Sequence, residues 1–143
     1  MASKRKYRTV TTTIANAVSY GCGELSSLAE ELREIVDNAS GTNRENMPRI
    51  QALGEAADTL EGIEEPTVEE NVGLIAIEYT EQLPRSAKRG LSRADRRDNG
   101  VNAIDACLQL LVEVEGDEHQ TLIEDLEFIK DSAEGVEFPG MFG

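Results

Sequence analysis

Tryptophan is absent from this chain, and aromatic residues of every kind make up only 4% of it. A core built without large rings has to be aliphatic. The few rings do not interleave with the basic residues, so single-stranded nucleic acid, which stacks its bases on such rings, finds no platform. Histidine occurs once, at His119. One imidazole leaves almost nothing from which to build a Ser–His or Cys–His pair. It also leaves no zinc site, which needs Cys, His or carboxylate ligands at close spacing. The two cysteines, Cys22 and Cys107, lie far apart, each on or beside an apolar helical face. That placement predicts small buried hydrophobes rather than a secreted, disulfide-dense scaffold, and a disulfide would require the two helices to meet there.

Other absences narrow the chemistry further. No run approaches the ~20 apolar residues of a membrane span, and no apolar stretch of signal-peptide length follows the basic start MASKRKYR. A cytoplasmic protein with no membrane partner is expected. No Gly-x-Ser-x-Gly, Gly-x-Gly-x-x-Gly, Walker loop or EF-hand run is present. The carboxylate pairs Glu30-Glu31, Glu64-Glu65 and Glu69-Glu70 are adjacent, so on a helix they diverge and read as a solvated acidic face. Gly21-Cys22-Gly23 sits inside a helical pattern and is better explained by close helix–helix approach than by a reactive thiol. No catalytic residue, no metal ligand and no cofactor is expected, and the chain reads as a non-enzyme.

Positive charge is also scarce. Fourteen Lys and Arg stand against twenty-eight Asp and Glu, for a net charge of −14. Such a surface stays soluble and repels nucleic acid and anionic membranes, so direct nucleic-acid contact is not expected.

What the chain does have is helical periodicity. With 143 residues it is long enough for one modest core and too short for two. Ile14, Val18, Gly21, Leu25, Leu28, Leu32 and Ile35 recur at spacings of four and three, an apolar stripe along one helix face. A helix N-cap is expected among Thr11, Thr12 and Thr13, and the helix ends near Asn38. Asn46 can cap a second helix with Pro48 in its first turn, Ile50, Leu53, Ala57 and Leu60 inward, and Gly62 closing it. The short connection predicts an antiparallel hairpin over residues 14–62.

Residues 1–13 read as a flexible basic arm, and 63–91 as an irregular or single-strand linker. Within the linker, Val72 to Thr80 is short, β-branched and apolar. A strand fits, but the chain offers it no obvious partner, and an extended segment or a short helix fits as well. Ser92 and Asp95 resemble a capping box that opens a second helix pair over 92–134. The third helix runs to about Glu115 with Ala94, Val101, Ile104, Leu108, Leu111 and Val114 inward, and Gly100 allows a break near Asn99. The fourth runs from about His119 to Glu134, with Leu122, Leu126, Ile129 and Ala133 inward, and Gly135 ends it. Residues 135–143 form an apolar tail whose Phe138, Met141 and Phe142 are expected to dock on something. The fold class expected is all-α, a single helical domain over 14–134.

One stretch reverses the charge. Residues 82–97 carry six bases against one acid, between two acidic halves. The candidates for anion or partner binding are therefore Arg85, Lys88, Arg89, Arg93, Arg96 and Arg97. Arg93, Arg96 and Arg97 fall in the first turns of a helix, the unfavourable end of its dipole for cations, at a few tenths of a kcal/mol each. They could contact phosphate, for which the guanidinium fork is suited, or pair with the protein's own Glu-rich helices. Rows of carboxylates on a rigid scaffold could instead imitate the phosphates of a duplex.

The stretches GELSSLAEELREIVDNASGTNRENMPRIQALGEAADTLEGI and LSRADRRDNGVNAIDACLQLL resemble small acidic helical proteins encoded by tailed bacteriophages, and the closing FPGMFG is similar in kind. The resemblance covers about half the chain and brings no activity and no site residue. It implies a phage setting, and with it the cytoplasm of the host cell. The expected function is a non-enzymatic module that binds a host or phage protein, with self-association left open. Two alternatives are an acidic nucleic-acid mimic that inhibits a host enzyme, and an accessory or scaffolding component of the virion.

Overall fold

Thr13 stands where a strand turns directly into a helix. The computed structural model describes residues 6–84, 90–113 and 119–138. Within them the order is β1 (Lys6–Thr13), α1 (Ile14–Ala39), α2 (Pro48–Glu61), α3 (Glu70–Gly73), β2 (Ala76–Leu83), α4 (Arg93–Glu113) and α5 (Gln120–Glu134). The fold is mainly helical, with one small antiparallel sheet of β1 and β2.

The Thr13 hydroxyl accepts from Asn16 N–H at 3.3 Å and caps α1, which then runs for 26 residues, about 39 Å. Ile14, Val18, Gly21, Leu25, Leu28 and Leu32 are buried along one side, as their spacing predicts. Each fully buried Leu contributes roughly 2–3 kcal/mol of transfer free energy at most. α2 packs antiparallel to this stripe, and Arg33 crosses from α1 to Asp58 (2.5 Å) and Glu61 (2.6 Å) on α2. Pro48 occupies the first helical position, but the cap residue is Met47, without a side-chain bond, and not Asn46.

The other flank of α1 meets α4. A Cβ built on Gly21 would lie 2.9 Å from Gly100 O and 2.8 Å from Ile104 Cγ1, while one on Gly100 would lie 3.2 Å from Gly21 O. The two glycines mark the closest approach of the helices, and this is why Gly100 does not break α4. The helix is continuous from Arg93 to Glu113, opened by Asp95 N–H donating to Ser92 Oγ at 3.1 Å, and Val114 and Glu115 lie outside the described residues. α5 packs on α4, tied by Lys130 to Asp105 at 2.8 Å.

Two expectations are corrected by the sheet. Residues 6–13 are not a flexible arm but β1, paired in register from Lys6↔Leu83 to Thr13↔Ala76. Nor is the linker's strand alone: the described part of the linker holds α3 and β2, and β2 begins at Ala76 rather than Val72. Six of the eight β1 residues are β-branched or aromatic, a composition that suits a pleated surface once a partner strand is present. The inner face of β2 buries Ile77, Tyr79 and Glu81 in alternation. The Tyr79 ring stacks on Tyr20 of α1 with centroids 5.8 Å apart, and Glu81, only 9% exposed, takes Arg8 at 2.7 Å.

Both thiols are free and buried. Burial, with Glu65's charge adding, pushes Cys22 from 9.0 up to about 11, and burial pushes Cys107 up to about 12. These thiols stay protonated in the fold where they would ionise in the unfolded chain. Their contribution is complete below the unfolded value and is lost as pH climbs through the folded ones. At pH 8, Ellman's reagent should therefore react at least ~100-fold more slowly with native than with denatured protein. Prompt reaction of either native thiol would show that the core around α1 opens readily.

Candidate functional site

The basic residues of 82–97 come first. Arg85, Lys88 and Arg89 lie outside the described residues, as do Met141 and Phe142. Arg93, Arg96 and Arg97 are described, and each turns inward to the protein. Arg96 pairs with Glu24 at 3.4 Å and Glu31 at 2.5 Å on α1. Its guanidinium loses some affinity for the proton through burial, and the Glu31 and Glu24 carboxylates more than restore it, so its pKa rises. Arg93 Nε is buried 3.9 Å from Glu31 Oε1, with no hydrogen-bond partner among the described residues.

Arg97 faces the opposite way. It donates to Ala133 O at 3.0 Å and Val136 O at 2.9 Å, pairs with Asp98 at 2.6 Å, and lies over the Phe138 ring at 5.5 Å. The last carbonyls of α5 have no partner within their own helix, and a cation is favourable at that end of its dipole. A side chain misplaced for α4 is thus well placed for α5. Phe138, partly buried, sets its ring against this guanidinium. The three arginines do not converge on an open anion cradle. They hold α1, α4 and α5 together.

With these cations engaged, the carboxylates outside them dominate the exterior. Glu64, Glu65, Glu69 and Glu70 in the connection after α2, and Glu124, Asp125, Glu127, Asp131 and Glu134 on α5, are all exposed. The two groups meet. Pro66 keeps the connection extended beyond Gly62, and α5 runs beside it, leaving a hollow of about 410 Å³ walled by Glu64, Glu65, Pro66, Asp125, Phe128 and Ile129. Phe128 is one of three phenylalanines in the chain and is 59% exposed. Ile129 beside it is buried and anchors α5, which fixes Phe128 on the outer side. An aromatic face rimmed by three carboxylates suits a cationic, partly apolar group, by charge and by attraction to the ring.

The sequence did not single out Phe128. Its signal was there, since Leu122, Leu126, Ile129 and Ala133 define the inner face and Phe128 falls off it. Among the described residues no group of three His, Cys, Asp or Glu is arranged to hold a metal ion, and no helix is long and apolar enough to cross a membrane. Comparison with protein-family models, with curated proteins and with solved structures found no match to this chain.

Proposed function

We propose that the chain is a non-enzymatic protein-binding module, phage-encoded and working in the host cytoplasm, that receives a basic partner surface on the acidic hollow around Phe128. The observation that supports this reading is the exposed Phe128 ring, set among Glu64, Glu65 and Asp125, while Arg96 and Arg97 of α4 are engaged elsewhere within the protein. An aromatic anchor inside a charged rim is the arrangement in which few residues carry most of the binding energy.

A second reading is favoured by the five exposed carboxylates of α5: an acidic mimic that occupies the nucleic-acid groove of a host enzyme. The two readings share a basic partner and differ in what competes for it. A DNA duplex would displace the protein from a partner under the mimic reading and not otherwise.

The test is capture of partners from a nuclease-treated bacterial lysate, by wild type, by Phe128→Ala and by the triple variant Glu64→Lys, Glu65→Lys, Asp125→Lys. Retained proteins would be identified by mass spectrometry at about 0.1 M and about 1 M salt, between which the screening length falls from about 10 Å to about 3 Å. Expected is a basic partner held at low salt and released at high salt. Phe128→Ala should weaken it by about 2 kcal/mol, roughly thirtyfold, and the charge reversals should abolish it. Since Phe128 is exposed, its truncation should change stability by no more than ~0.5 kcal/mol. If all three proteins retain the same set, the hollow is not the binding site.

A further inference from the structure

The outer edge of β2 is closed along half its length and open along the rest. Ile14 N–H donates to Ile75 O at 2.9 Å, and the register continues from Thr13↔Ala76 to Lys6↔Leu83. Alternation then turns the peptide groups of Ile77, Tyr79, Glu81 and Leu83 toward β1, and those of Ala76, Glu78, Thr80 and Gln82 away from it. α4 lies along this outer edge and runs antiparallel to it. Buried Asn99 takes both groups of Gln82: its Oδ1 accepts from Gln82 N–H at 2.8 Å and its Nδ2 donates to Gln82 O at 3.1 Å. Three residues on, Asn102 Nδ2 donates to Thr80 O at 3.2 Å. An asparagine side chain is here standing in for a strand.

One turn further along the same face of α4 is Ala106, which has no amide to offer. Gln109 beyond it donates instead to Asp105 at 2.7 Å. The result is an open groove of about 500 Å³, with Ala76, Ile77 and Glu78 on one side and Ala106, Leu110 and Glu113 on the other. Among the described residues no hydrogen bond reaches the outward N–H or C=O of Glu78.

We propose that this groove takes a short extended stretch of a partner polypeptide, which adds to β2 at Ala76 to Glu78 where the asparagines fill the edge further along. Unpaired edge groups at strand spacing call for the N–H and C=O of another strand. The lining decides the side chains: Ile77, Ala106 and Leu110 suit an apolar residue, and Glu78 and Glu113 suit a lysine or arginine beside it. Asn102 and Asn99 block the edge toward Leu83, so the added stretch is three or four residues long. The site shares no residue with the Phe128 hollow and does not depend on it.

The test is a ¹⁵N NMR titration of the whole chain with the acetylated, amidated tetrapeptide Val-Lys-Val-Lys, and with the same peptide N-methylated along its backbone. Saturable shifts at Ala76 and Glu78, and at least tenfold slower hydrogen exchange of the Glu78 amide, are expected with the first. At least tenfold weaker binding is expected with the second, which cannot donate to a strand edge. Ala106→Asn supplies the missing amide and should weaken the first peptide at least tenfold while leaving the circular dichroism spectrum unchanged. If Ala106→Asn does not fold, the comparison of the two peptides decides. The proposal is overturned by equal binding of both peptides or by no saturable shift at millimolar peptide. Shifts confined to the Phe128 hollow, or to the open edge of β1 at Tyr7 and Thr9, overturn it too.

Discussion

Gly21→Ala is expected to destabilise the protein by about 2 kcal/mol, although alanine is the better helix former. The helix gain is about 1 kcal/mol for an exposed position. Against it, the new methyl would stand 2.9 Å from Gly100 O and 2.8 Å from Ile104 Cγ1. Ile104 can change rotamer, but the carbonyl belongs to α4's backbone and can move only if the two helices separate. Overpacking of this kind costs roughly 1–3 kcal/mol and occasionally more, and here it wins. Gly23, two positions along the same helix, has nothing within 4 Å of a built Cβ. Gly23→Ala should therefore stabilise by about 0.5–1 kcal/mol. The two substitutions are chemically identical and opposite in sign, and urea denaturation followed by circular dichroism checks both. A Gly21→Ala protein as stable as wild type would mean that α1 and α4 do not cross at these glycines.

Asn99→Leu should be at least as damaging. Asn99 is 1% exposed, and its amide makes two bonds to the backbone of a single residue, Gln82. Leucine fills similar space but makes neither of these part-buried bonds, and a backbone polar group that loses its partner when Asn99's site stays closed to water costs about 1–3 kcal/mol. A net loss of about 3 kcal/mol is expected after the gain from burying a more apolar side chain. Asn102→Ala, at an exposed position with a single bond to Thr80 O, should cost less than about 1 kcal/mol. Hydrogen exchange adds a site-specific readout: the Gln82 amide should exchange faster in Asn99→Leu while the α2 amides keep their protection. Unchanged Gln82 exchange would mean that α4 does not close this edge.

The helices were legible because their cause is local. The spacing of Ile14 to Leu32, the threonine cap, Pro48 at a first turn, and Gly62 and Gly135 at helix ends each act within a few residues, and the structure places helices accordingly. The acidic character was legible from composition alone. The sheet was not, because β1 and β2 are joined by pairs 63 to 77 positions apart, from Thr13↔Ala76 to Lys6↔Leu83. Strand pairing has no local period to announce a distant partner, so β1 read as an arm and β2 as a strand without a mate.

The same holds for the site. The arginines were found by charge, but whether a guanidinium meets a phosphate or the protein's own carboxylate depends on what lies opposite. Only packing brings Glu24 and Glu31 to Arg96, and the end of α5 to Arg97. Likewise, that Phe128 lies off an apolar stripe is a property of the sequence. That it faces Glu64 and Glu65 across a hollow follows from how α5 docks beside the connection after α2. Period and composition act through neighbours along the chain and can be read from it, whereas contact between distant segments exists only once the core has closed.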